Sequence, residues 1–125
     1  MADLLHFELV SPERLLSSGK VAMVVVPGSE GDFGVLPGHA PVMSTIRPGA
    51  IAIYDTDSNT LSRRIFVDGG FAEVTPQGLT ILAEAAIPVA DIDPAKVATD
   101  LAAARTAGNE AAIARLEAMQ AAVVN

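Results

Sequence analysis

Residues 21–41 read VAMVVVPGSEGDFGVLPGHAP, a continuous apolar run from Val21 to Val26 followed at once by a segment dense in turn formers. Between Gly28 and Pro41 stand four glycines, two prolines, two acids and His39, one of only two histidines in the chain. Glycine enters positive φ freely, and proline fixes φ while removing an N–H donor. A strand running into such a segment must end in specially shaped backbone, and short strands joined by shaped turns are the pattern of a β-sandwich or barrel. Val24, Val25 and Val26 are stiff at χ1 and suit a pleated sheet, and their unbroken apolar character predicts burial on both faces.

Toward the N-terminus, Leu5, Phe7 and Leu9 alternate with His6 and Glu8, the period of a half-buried strand over Leu4–Val10, which Ser11-Pro12 breaks. A second strand is expected over Arg14–Leu16, with Ser18-Gly19 as a tight turn into a strand Lys20–Val26, an early hairpin. Toward the C-terminus, Val42–Ile46 and Ala50–Tyr54 read as strands joined through Arg47-Pro48-Gly49, where Pro-Gly favours a type II turn. Asp55–Thr60 is a polar loop. Leu61–Val67, Phe71–Val74 and Leu79–Ala83 add three strands, separated by Asp68-Gly69-Gly70 and Thr75-Pro76-Gln77-Gly78. Turn signals recurring roughly every eight to twelve residues predict a β-sandwich or flattened barrel.

Near Pro88 the composition changes, dividing the chain into a β-domain over 1–87 and a helical hairpin over 88–125. Asp93-Pro94 is a helix start, because the aspartate accepts from free N–H groups and proline at the first helical position loses nothing. Val97, Leu101 and Ala104 share one stripe, Gly108-Asn109 is the stop and next cap, and Ile113, Leu116, Met119 and Val123 share a face of the second helix. Each arm is roughly a dozen residues, about 20 Å at ~1.5 Å per residue. Such short, alanine-rich helices depend on tertiary packing, so the hairpin is expected to be the less stable, movable part.

The net charge of −7 opposes the phosphate-neutralising surface that nonspecific nucleic-acid binding needs. No apolar run approaches the about eighteen residues of a membrane span. Asp3 and His6 interrupt the short Leu4-Leu5 pair, so no signal peptide is expected. The absence of cysteine excludes disulfides and thiol chemistry and fits a cytoplasmic home. Gly28-Ser29-Glu30-Gly31 lacks the Gly-Lys-Ser/Thr ending of a phosphate loop, and its acids would repel a phosphate. Ser29, Asp32 and His39 are the residue types of a hydrolytic triad without a nucleophile elbow. His6 and His39 match no metal-ligand spacing. Arg63 and Arg64 are adjacent on a strand, so their side chains point to opposite faces. Read from the residues alone, the chain is a noncatalytic interaction protein. A free-standing ligand-binding β-domain with a regulatory hairpin is the alternative, and a small hydrolase a more formal rival.

Val10-Ser11-Pro12-Glu13, Ser18-Gly19, the whole block from Gly28 to Pro41, Pro48-Gly49 and Gly69-Gly70-Phe71-Ala72-Glu73-Val74 resemble the epsilon subunit of bacterial F-type ATP synthase, and the resemblance spans essentially the whole chain. It implies a ten-stranded β-sandwich followed by a C-terminal helix-turn-helix, a subunit without an active site or cofactor. It also implies a place in the central stalk, binding the gamma subunit and the c ring, rotating with them and coupling proton flow to ATP synthesis or hydrolysis. The location implied is peripheral, at the cytoplasmic face of the inner membrane, which the chain meets only through partners. By this resemblance the loop holding Glu30 and Asp32 matches the contact with the polar c-ring loops, and His39 occupies the family's histidine near the same c-ring and gamma interface.

In some relatives the hairpin reaches the alpha and beta subunits of the catalytic head or binds ATP through Ile-Asp-x-x-Arg-Ala. Here Ile92, Asp93 and Lys96 occupy that site, with Lys96 in place of arginine and Val97 in place of alanine. Lysine lacks the planar fork that grips a phosphate bidentately. Three basic residues of the hairpin, Lys96, Arg105 and Arg115, face five acids, a poor balance for docking on an acidic partner. Weak or absent inhibition and weak ATP binding are therefore expected.

Overall fold

The computed structural model describes residues 4–124; Asp3, cited above against a signal peptide, lies outside them. The strands are β1 (Leu5–Val10), β2 (Leu15–Val21), β3 (Met23–Gly28), β4 (Gly31–Val35), β5 (Val42–Thr45), β6 (Gly49–Tyr54), β7 (Arg63–Asp68), β8 (Phe71–Thr75), β9 (Gly78–Leu82) and β10 (Ala85–Pro88). A 3₁₀ turn over Val89–Asp91 leads into α1 (Pro94–Ala107) and α2 (Glu110–Val124).

Alternation decides the layering. Leu5, Phe7 and Leu9 of β1 are all buried, and their counterparts on the facing strands, Val24, Val26, Ile51, Ile53 and Val67, are fully enclosed. Two five-stranded sheets close over these side chains, in the orders β2-β1-β9-β8-β5 and β10-β7-β6-β3-β4. The fold is thus mainly β, a ten-stranded sandwich with a helical appendage. Most neighbours are antiparallel, while β1 and β9 pair in parallel, bringing the first strand beside one formed some seventy residues later.

The hairpin packs on the outer face of the second sheet. Asp93 caps α1 by accepting from the Ala95 N–H at 3.0 Å, and Gly108 closes it in the left-handed conformation at φ 68°. Val97, Leu101, Leu116 and Ala122 gather on Phe66 and Ile92, with Ile113, Met119 and Val123 partly buried beside them. Phe66 lies between Ile65 and Val67, which face the sandwich interior, so β7 is covered on both faces.

Three expectations are corrected. Burial on both faces belongs to β7, because the hairpin sits over Phe66; Val25 in β3 remains partly exposed. Ser18-Gly19 is not a turn. Both residues lie inside β2, opposite Glu8 and Phe7, and no atom comes within 4 Å of where a Gly19 side chain would start. Only Val21 of β2 is buried, so the strand needs no apolar alternation and its polar residues imitate a turn. The stretch Lys20–Val26 is accordingly not one strand. The chain crosses between sheets at Ala22, with Val21 paired to Leu5 and Met23 to Tyr54.

Candidate functional site

The glycine-rich stretch divides into a strand and a loop. β3 and β4 form a hairpin in which Gly28 faces Gly31, leaving Ser29 and Glu30 as its two-residue tip. Gly31 takes φ 137°, a value only glycine adopts without strain, and so lets the chain reverse there. Gly28 is buried, and a Cβ on it would lie 2.8 Å from the Gly31 carbonyl oxygen. Beyond β4, Leu36-Pro37-Gly38 curls back, with the His39 N–H bonded to the Leu36 carbonyl at 3.1 Å.

This hairpin is fastened to its surroundings at two points. The Ser29 N–H donates to the Thr45 carbonyl at 2.9 Å, and the Thr45 hydroxyl donates to Ser29 Oγ at 2.8 Å. Arg47, from the turn between β5 and β6, donates one guanidinium nitrogen to the Gly28 carbonyl and the other to Asp32. The Arg47–Asp32 pair is well exposed on both sides, so it orients the loop more than it stabilises the fold, at about 0–1 kcal/mol.

Glu30, Asp32 and His39 line one shallow groove of about 550 Å³, together with Ser29, Phe33 and the β5 residues Val42 to Thr45. Its floor is partly apolar, since Met43 is 63 % exposed and Val42 39 %. Glu30 takes part in no ion pair among the described residues and stands exposed at the tip, whereas Asp32 is held by Arg47. His39 also lines a neighbouring groove of about 480 Å³ that includes His6, so its ring forms part of the wall between them.

Ser29, Asp32 and His39 therefore share a groove, but not a relay. Ser29 bonds Thr45, Asp32 bonds Arg47, and His39 Nδ1 donates to the Ala40 carbonyl at 2.6 Å. Neither Asp32 nor His39 is positioned to take the serine proton. Among the described residues no three His, Cys, Asp or Glu side chains gather to hold a metal.

Ile92, Asp93 and Lys96 do not converge. Ile92 is 7 % exposed in the cluster under the hairpin, Asp93 is occupied as the cap, and Lys96 reaches Asp100 one turn on at 3.0 Å. Of the adjacent arginines, Arg63 pairs with Asp55 at 3.4 Å, while Arg64 is partly buried and lines a groove shared with α2. Arg47 and Met43 carry no sequence signal that marks them as site residues. Arg47 lies in the link before β6 and bonds residues fifteen and nineteen positions away, Met43 lies in a short exposed strand, and nothing in the local sequence of either marks its approach to the loop.

A two-sheet sandwich that presents an acidic, glycine-shaped hairpin and carries two docked helices defines a mainly β protein with a helical appendage. Residues 4–89 match the family model described as ATP synthase, Delta/Epsilon chain, beta-sandwich domain. The chain is 60 % identical over 132 aligned residues to the ATP synthase epsilon chain of Maricaulis maris, covering 97 % of each. It is 59 % identical to that of Parvibaculum lavamentivorans, over 83 % of this chain and 77 % of the relative. Among solved structures it resembles a chain in the cryo-EM structure of Euglena gracilis mitochondrial ATP synthase, OSCP/F1/c-ring in rotational state 1. The TM-score there is 0.85 at 26 % identity, covering 98 % of this chain and 82 % of that one. A chain of the Tetrahymena thermophila mitochondrial central stalk/c-ring structure shares the fold at a TM-score of 0.66 and 14 % identity, over 94 % and 95 % of the two chains. The chain belongs to the ATP synthase epsilon chain family. No helix among the described residues is long and apolar enough to cross a membrane.

Proposed function

We propose that this chain is a noncatalytic rotor subunit that binds gamma and the polar loops of the c ring at the cytoplasmic face of the bacterial membrane, passing torque between proton flow and the catalytic head. The observation that carries this reading is the groove in which Glu30, Asp32 and His39 meet. Its walls are fixed by the Arg47 and Ser29 hydrogen bonds, so a load applied at the tip is transmitted into both sheets instead of bending a free loop. An exposed carboxylate beside apolar side chains suits a loop carrying a basic residue.

The chain is divided, in this reading, into a coupling unit over 1–87 and a helical unit over 88–125. The helical unit binds ATP weakly and inhibits hydrolysis little, since the side chains of Ile92, Asp93 and Lys96 already serve burial, capping and an ion pair. The test is Asp32→Ala in the assembled enzyme. Proton-coupled ATP synthesis should fall while the isolated chain keeps its melting behaviour; intact synthesis with a collapsed sandwich would assign Asp32 to folding instead.

A further inference from the structure

The edge of β5 that faces the groove is an unfinished ladder. In a strand the N–H and C=O of one residue point to the same side, and successive residues alternate. The Thr45 carbonyl accepts from Ser29, the Ile46 N–H donates to Gly70, and the Arg47 N–H donates to Pro27. Odd-numbered residues here therefore turn their backbone groups toward the β3–β4 hairpin, and even-numbered ones toward β8 and its turn. Gly28 bridges Ile46 and Ser29 bonds Thr45, but at Glu30 the hairpin bends away to form β4. The Met43 N–H and C=O are next in the odd series, with no strand beside them among the described residues, because β5 has β8 as its single sheet neighbour there. Pro41 follows in the same series, where its missing N–H costs no ladder bond.

We propose that an extended segment of the partner completes this ladder, pairing backbone to backbone with Met43 and setting a basic side chain against Glu30. The proposal rests on the c-ring reading above and names how that contact is made. Charge complementarity selects the occupant, since the groove offers the exposed Glu30 carboxylate while Arg47 is already committed to Gly28 and Asp32. The exposed Met43 side chain adds apolar area beside the same pairing edge.

Backbone parity supplies the test. Met43→Pro removes an N–H that faces the groove and leaves the β5–β8 pairing whole, because Val42 and Ser44 carry the bonds to β8. Met43→Ala controls for the lost side chain. In binding of the purified c ring by the full chain, Met43→Pro should be weaker than Met43→Ala by roughly tenfold, the effect of leaving one hydrogen bond unmade. Equal binding by the two variants overturns the pairing and leaves the c-ring reading standing. Failure of the unsubstituted chain to bind the c ring overturns both. Hydrogen exchange on the unsubstituted chain covers the case in which Met43→Pro does not fold. The Met43 amide should slow about tenfold on c-ring binding, and an unchanged rate contradicts the proposal.

Discussion

Arg47 joins residues that lie far apart in sequence, holding the Gly28 carbonyl and the Asp32 carboxylate at once. Arg47→Ala removes both bonds and should cost about 1–2 kcal/mol in urea denaturation of the isolated chain. Asp32→Ala, which leaves the Gly28 bond in place, should cost under about 1 kcal/mol; equal costs would contradict this division of labour. Gly70 and Gly31 make a second comparison. Both have positive φ, 105° and 137°, but a Cβ on Gly70 would sit 1.9 Å from the Leu82 carbonyl oxygen, whereas none lies within 4 Å at Gly31. Gly31→Ala should cost about 1–3 kcal/mol from backbone strain alone, and Gly70→Ala clearly more, because β8 and β9 must also separate. Urea midpoints of the two variants decide it, and a Gly31→Ala loss equal to that of Gly70→Ala would refute the steric account.

At the scale of elements, the helical hairpin sits on Phe66, buried beneath it, with Ala50 and Ile87 partly buried beside it. Arg115–Asp68 at 3.5 Å is an additional, partly exposed tie between α2 and β7, and Arg105–Glu117 at 3.2 Å joins the two helices. Phe66→Ala should cost about 3–5 kcal/mol as a large-to-small core change. Its signature should be lost amide protection over 94–123 with the sandwich amides kept. In the unsubstituted chain those helical amides should already exchange faster than the sheet, and equal protection would contradict a separately opening hairpin. The helices were legible because their signals are local: the Asp93 cap, Pro94, the Gly108 stop and a stripe at helical spacing. Strands on the sheet edges were less so. β4 is hidden by Gly31 and Gly34, which carry no side chain to alternate, and β2 by the polar run through Ser18-Gly19. The unbroken valines point to β3 as the doubly covered strand because sequence does not say which sheet face the hairpin will cover.

Across the whole molecule, the sandwich and its appendage contribute different things. Removing residues after Pro88 would uncover Phe66 and Ile87, so a truncated chain should be less soluble even where it couples normally. ATP hydrolysis by the catalytic head should barely differ between the full and truncated chains; a several-fold rise on truncation would contradict weak inhibition. The acids of the site were readable because the Gly28–Pro41 block has a recognisable order. Their neighbours were not, because Thr45 and Met43 come to the groove on β5 of the other sheet and Arg47 reaches Asp32 from the link after it. Local spacing carries no trace of that approach.

The central claim is that Glu30 and its groove transmit torque to the c ring. Its most direct measurement is ATP-driven proton pumping in membranes assembled with Glu30→Lys, a charge reversal at an exposed turn tip that leaves every hydrogen bond of the loop in place. Pumping should fall several-fold relative to the unsubstituted chain while the soluble catalytic head hydrolyses ATP at the same rate. Pumping equal to that of the unsubstituted enzyme would contradict the assignment of this groove to the rotor contact.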